Sequence, residues 1–250
     1  MFRLVHSPVT TADRRWGHHL ANLALALPLL TSVLLLATQP AWSQNKYGLR
    51  TIAMGEYQAS LKDHPEKELV NLAEAAPDIV LEIGYATEKN FTGKKIYTLP
   101  RAYARRPVVE ALKRAQKDFR ALGYGIKVYD GYRPYKATVK FYEEYHDTTY
   151  VASPYRGSRH NRGCALDMTL VDLKTGKEIP MPTLWDAFDT QAWPTAIVAD
   201  PAIRGNRDLL IRVMERNGFT VYEHEWWHFD FNGWKNFEVM DIDFEELEKK

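Results

Sequence analysis

His160 and Asp167 stand seven residues apart with Gly163 between them, and His224-Glu225-Trp226-Trp227-His228 follows far downstream. Imidazole nitrogens and carboxylate oxygens are ligands for zinc, which in catalytic sites takes three protein ligands and keeps a fourth position for water. His160, Asp167 and His228 can supply that set. A zinc ion lowers the pKa of a bound water toward about 7, and a nearby carboxylate can then take its proton. Glu225, three residues before His228, is the candidate for that base. The chemistry these residue types support is hydrolysis by an activated water.

A second pattern competes. His224 to His228 also reads as His-Glu-x-x-His, the zincin motif, which needs a helix to bring both histidines onto one face. The surrounding residues are β-branched and aromatic, from Phe219-Thr220-Val221-Tyr222 to Trp226-Trp227-His228-Phe229-Asp230-Phe231, and suit a pleated sheet. Gly218 and Gly233 bracket the segment, and the motif gives the His160 stretch no role. The zincin reading therefore ranks below the first, with His224 an incidental neighbour.

Elements must carry these groups. Residues 164–170 alternate as a strand. Ala165, Asp167 and Thr169 share an open face, and Leu166, Met168 and Leu170 share an apolar one. The polar loop 148–162 delivers His160. Residues 107–122 form the clearest helix, with Val108, Val109, Leu112, Ala115, Phe119 and Leu122 on one face, Pro107 in its first turn and Gly123 beyond its end. Residues 126–129 read as a strand ended by the turn Asp130-Gly131-Tyr132-Arg133-Pro134. A helix follows over 136–145, with Val139, Tyr142 and Tyr145 on a common side. A short helix is expected over 66–75, a strand over 78–83, a proline-broken loop over 181–205, a helix over 207–216 and a solvated tail or short helix over 241–250. Strands and helices mix without regular alternation, which predicts a single α+β domain with a mostly antiparallel sheet.

The chain is 45% hydrophobic and 26% charged, the make-up of a globular protein that builds its own core. Its formal net charge of +1 offers no broad field for nucleic acid. Arg3, Arg14 and Arg15 precede an uncharged apolar run over 20–37, and Ala41-Trp42-Ser43 has the small-x-small form of a cleavage site. Residues 1–43 are thus expected to be a signal peptide cut after Ser43, leaving a single domain over 44–250 in the periplasm or outside the cell, with no stable membrane association. A retained anchor is the alternative for this segment. Cys164 is the lone cysteine, so no internal disulfide can form. It reads as a small buried apolar residue.

Ser158-Arg159-His160-Asn161-Arg162-Gly163-Cys164-Ala165-Leu166-Asp167 resembles the Ser-x-His-x-x-Gly-x-Ala-x-Asp pattern of the M15 metallopeptidases, and Glu225-Trp226-Trp227-His228 their Glu-x-Trp-His element. The Asp130 to Pro134 turn, Tyr85-Ala86-Thr87 with Asn90-Phe91-Thr92-Gly93, and Trp185-Asp186-Ala187-Phe188 resemble motifs of the D-alanyl-D-alanine dipeptidase family, in order, over about residues 78–232. The resemblance implies a hedgehog/DD-peptidase-type fold, its sheet flanked by helices, and one zinc ion held by His160, Asp167 and His228. Glu225 would be the general base. Arg133 would polarise the scissile carbonyl and stabilise the oxyanion, and Tyr85, Ser158 and Asp186 would hold the free ammonium of a small D,D-dipeptide. Cys164 departs from the family's small residues such as Ser but faces away from Asp167. The export signal implies wall turnover or scavenging. Two further readings remain: a D,D- or L,D-carboxypeptidase acting on longer peptidoglycan peptides, and a non-catalytic, hedgehog-like zinc-binding module. Taken singly, His160 fits a loop histidine, Asp167 an edge-strand carboxylate and Arg133 an ion-pair partner of Asp130; their joint occurrence in this order speaks for the site.

Overall fold

The computed structural model describes residues 45–249. The segment read as a signal peptide, with its cleavage point, lies outside them. In chain order the elements are α1 Met54–Ser60, β1 Leu69–Asn71, α2 Leu72–Ala75, β2 Val80–Leu81, β3 Tyr103–Arg105, α3 Arg106–Ala121, β4 Tyr124–Asp130, α4 Tyr135–Glu144, β5 Ala165–Asp172, α5 Pro201–Arg216, β6 Phe219–Tyr222, β7 Glu225–Phe231 and α6 Phe244–Leu247. No helix of the described residues is long and apolar enough to cross a membrane.

Five strands form the main sheet in the order β2-β4-β5-β7-β6, and β1 pairs with β3 in a small second sheet. Within the main sheet β2 and β4 run parallel, and β4/β5, β5/β7 and β6/β7 are antiparallel. The result is an α+β fold with a mostly antiparallel sheet flanked by helices.

Period-two alternation sets the two faces of the sheet. Ile126 opposes Leu170 and Val128 opposes Met168 across β4 and β5. These side chains join one buried cluster with Leu112, Ala115 and Phe119 of α3 and Leu210, Val213 and Met214 of α5. Burying one such side chain contributes about 1.5–3 kcal/mol, so this layer fixes the register of the central strands. The other face carries polar residues. Lys127 opposes Thr169, Asp130 opposes Asp167 across a register shift in β4, and Asp167 opposes His228 of β7. Three adjacent strands thus bring Asp130, Asp167 and His228 into one row.

Several expectations need correction. The helix expected over 66–75 is instead a 3-10 turn, the strand β1 and the single turn α2, because residues 69–71 pair with β3. The strand over 78–83 shrinks to the two residues of β2. Pro201 does not break structure. It occupies the first turn of α5, whose N-terminal N–H groups at Ala202 and Ile203 donate to the Asp200 side chain. Leu122, just past the end of α3, is 54% exposed although it continues the apolar stripe. On α4 the buried face is Tyr135, Ala137, Thr138 and Phe141 rather than Val139, Tyr142 and Tyr145. The face of β5 read as open is buried at Ala165, Asp167 and Thr169, since loops close over it. Of the two expectations for 241–250 the short helix holds, as α6, and the solvated tail does not, since Ile242, Phe244 and Leu247 enter the core.

Candidate metal centre and active site

His160 begins the 3-10 turn His160–Arg162, which ends in Gly163 at φ 67°. A Cβ there would stand 2.6 Å from Leu69 Cδ2, so glycine serves both the left-handed turn and the close approach. Ser158 Oγ accepts from the His160 backbone N–H at 3.2 Å, and Ser158 N–H donates to Asn161 Oδ1 at 2.7 Å. Asn161 also donates to Arg133 O and Thr138 Oγ1. The turn carrying His160 is thereby tied to the turn carrying Arg133.

His160, Asp167 and His228 meet. Their ligand atoms lie within 4.8 Å of one another, and all three residues are buried. His160 Nε2 and His228 Nδ1 are 3.1 Å apart, and Asp167 Oδ1 is 3.3 Å from the first and 3.1 Å from the second. Zinc bonds of about 2.0–2.1 Å in a tetrahedron give ligand–ligand edges of roughly 3.4 Å, close to this triangle.

The outer atoms of each imidazole fix its proton. His160 Nδ1 lies 2.8 Å from the Gly131 carbonyl oxygen, which can only accept, so Nδ1 donates and Nε2 presents a lone pair. His228 Nε2 donates to Asp230 Oδ1 at 3.0 Å, which leaves Nδ1 to face inward. Asp167 Oδ1 is buried, and the neighbours it faces are the inward nitrogens of the two imidazoles. Two imidazole nitrogens and one carboxylate oxygen converging in a buried pocket fit a cation, and this donor set suits zinc. Burial would lower the His228 pKa, but Asp230 and Asp167 overcome it and push it up to about 10. Burial would raise Asp167, yet the two imidazoles hold it well below the usual carboxylate range.

Glu225 opens β7, with Oε2 3.7 Å from His228 Nδ1. Simple alternation would put residues 225 and 228 on opposite faces. The pairing of β6 with β7 jumps from Val221↔Phe229 to Tyr222↔Glu225, and this irregularity turns Glu225 back toward the site. Burial, reinforced by the Asp167 charge and opposed by His228, pushes its carboxyl up to about 8. Positive charge among the three ligands favours the ionised form of this group.

Arg133 lies on the turn after β4. Its Nε and Nη2 donate to Asp130 Oδ2 at 3.0 and 2.8 Å, while Tyr97 OH donates to Asp130 Oδ1 at 2.8 Å. The guanidinium sits 4.7 Å over Phe141 and 5.3 Å over Tyr85. Arg133 is therefore the ion-pair partner of Asp130, and it also borders the cavity, with Nη2 3.9 Å from Asp167 Oδ2.

That cavity has a volume of about 470 Å³ and is bordered by Tyr85, Arg133, Ser158, His160, Asp167, Asp186, Glu225 and His228 among others. All eight site residues read from the sequence thus border one space. Tyr85 OH donates to Asp186 Oδ1 at 2.9 Å, and Asp186 Oδ2 is buried without a partner. Burial, with the Asp167 charge, keeps the Asp186 carboxyl well above the usual range. Ser158 borders the same space, with its hydroxyl engaged by the His160 backbone.

His224 stands apart. Its Nδ1 meets Tyr222 OH at 3.3 Å and its ring lies 4.7 Å from that of Trp193. His224 lies in the turn between β6 and β7 and His228 on β7, with no helix here, so the zincin geometry does not form. Trp226 and Trp227 are buried, and Trp226 Nε1 donates to Thr183 Oγ1. Cys164 is buried, which raises its thiol to about 12 and leaves it inert. Sequence reasoning missed Asp230, although a carboxylate two residues beyond His228 on one strand was a readable signal. It also missed Asn161 and Tyr97, which act through contacts distant in sequence.

The model of the M15 peptidase family, described as D-ala-D-ala dipeptidase, matches residues 65–245. A D-alanyl-D-alanine dipeptidase of Escherichia coli K12 is 34% identical over 163 residues, 65% of this chain and 84% of the relative. One from Enterococcus faecalis is also 34% identical, over 58% of this chain and 82% of its own length. Among solved structures, a vancomycin-resistance D,D-pentapeptidase in complex with Zn(II) is 16% identical over 54% of this chain and 75% of its own, with a TM-score of 0.36.

Proposed function

The chain belongs to the M15 peptidase family of D-ala-D-ala dipeptidases, and from that membership we propose that it hydrolyses the free dipeptide D-Ala-D-Ala to two D-alanines. The observation that carries the reading is the convergence of His160, Asp167, His228, Glu225 and Arg133 on one cavity that also holds the unpartnered Asp186 oxygen.

His160, Asp167 and His228 would hold a zinc ion, which when bound would supply Lewis acidity and an acidified water. Glu225, as carboxylate, accepts the proton of the attacking water and passes it to the leaving amine. Arg133, braced by Asp130, stabilises the negative charge that develops on the scissile carbonyl oxygen. Asp186 and Tyr85 receive the substrate's ammonium. Asp186 takes up its full charge when that cation arrives, and so selects a free amine at the correct distance. Ser158 holds the His160 turn and completes the wall on its side.

Residues 1–43 are taken as an export signal, on Arg3, Arg14, Arg15, the apolar run and Ala41-Trp42-Ser43. The enzyme would then meet wall-derived dipeptides outside the cytoplasm, in turnover or scavenging. The test is an assay of zinc-loaded protein on D-Ala-D-Ala and on a wall pentapeptide ending in the same two residues. Faster turnover of the dipeptide is expected; faster turnover of the pentapeptide would make the protein a carboxypeptidase.

A further inference from the structure

Among the described residues Asp186 is the non-glycine residue with positive φ, 60°. Side chains rarely adopt this conformation unless the surroundings impose it. Two neighbours do so. Tyr85 OH holds Oδ1. The preceding residue, Trp185, stacks on Tyr129 with ring centroids 5.1 Å apart and planes 20° apart, and meets Tyr85 edge-on at 4.9 Å. Its Nε1 is buried and makes no hydrogen bond, so shape alone seats the indole.

The seat is a notch at Gly84. A Cβ there would lie 2.2 Å from Trp185 Cζ3 and 2.6 Å from Cη2, distances no packing tolerates. Glycine is needed here for room, since the residue has no positive φ. One 3-10 turn, Gly84–Ala86, thus carries both the notch and Tyr85. The Tyr85 carbonyl is fixed in turn by the N–H groups of Ile96 and Tyr97.

We propose that Gly84 and Trp185 form a steric lock that sets Asp186 and Tyr85 as the receptor for the substrate's free α-ammonium, and so determine the preference for unblocked over N-blocked dipeptides. The inference rests on the D,D-dipeptidase reading. Gly84 and Trp185 are positioning residues; neither borders the cavity that holds the reacting groups. Filling the notch displaces the indole, and the Asp186 backbone moves with it.

The experiment compares kcat and KM for D-Ala-D-Ala and N-acetyl-D-Ala-D-Ala on zinc-loaded wild type, G84A, W185F, the double variant and D186N. Wild type should favour the free dipeptide in kcat/KM, and D186N should lose that preference. G84A should lose at least tenfold of it, chiefly through KM for the free dipeptide, with zinc content unchanged. G84A/W185F should regain most of it, because phenylalanine lacks the outer edge of the indole that a Cβ would strike. W185A, which empties the notch without crowding it, should also lose preference and serves if G84A does not fold. No preference in wild type, or a preference retained by D186N, overturns the ammonium reading and the lock with it. With D186N behaving as expected, the lock alone is overturned by any of three results: an unchanged ratio in G84A or W185A, equal losses on both substrates, or no recovery in the double variant.

Discussion

Asp230 Oδ1 accepts a hydrogen bond from His228 Nε2 at 3.0 Å, on the side of the ring away from Asp167. The two residues share a strand face two positions apart on β7, and Arg159 Nε lies 3.4 Å from the other Asp230 oxygen. The bond fixes the tautomer that turns His228 Nδ1 toward the site and adds negative charge behind it. Outer partners of this kind change metal affinity by about 10–100-fold. Asp230→Ala should weaken zinc binding by that factor in chelator competition, with unchanged far-UV circular dichroism. An unaltered zinc affinity would reduce Asp230 to packing.

The same pair makes zinc binding pH-dependent. In the metal-free protein His228 holds a proton until about pH 10, against 6.5 for an ordinary histidine. Zinc must displace that proton, so affinity falls as pH falls through the neutral range. Between pH 8 and 6 it should drop about tenfold per unit, the slope of one displaced proton, and titration calorimetry in buffers of different ionisation enthalpy should detect that proton. A flat affinity over that range would show that His228 is already neutral.

Glu225 should act on rate and not on metal content. Glu225→Gln keeps the shape and removes the base, so kcat should fall by about 10²–10⁴-fold while zinc stays bound. Loss of zinc in this variant would assign Glu225 to the ligand set.

Arg133 makes paired hydrogen bonds to one oxygen of Asp130 through Nε and Nη2. Lysine keeps the charge but not the fork. Arg133→Lys should lower kcat by about 10²–10³-fold with a smaller change in KM, the pattern of a group used mainly in the transition state. Equal changes in both constants would instead point to binding.

Much of the site was legible in sequence because its residues sit at positions local rules describe. The alternation of β5 put Asp167 opposite the apolar face, and the aromatic character of residues 219–231 excluded the helix that His224 would need. The burial of the Asp167 face was not legible, because the loops covering it come from distant parts of the chain. The inward turn of Glu225 was not legible either, since it depends on an irregular pairing with Tyr222 that period-two reasoning cannot foresee. On α4 the buried face passes through Ala137 and Thr138, residues that a hydrophobicity reading ranks below Val139 and Tyr142. Residues 69–71 became strand through pairing with β3, a tertiary influence stronger than local helix propensity.

The most direct test of the zinc site measures bound zinc and D-alanine release on the same preparations of wild type, His160→Ala and His224→Ala. The geometry predicts one zinc per chain and D-alanine from D-Ala-D-Ala for wild type and His224→Ala, and neither for His160→Ala. Zinc and activity retained in His160→Ala but lost in His224→Ala would contradict it.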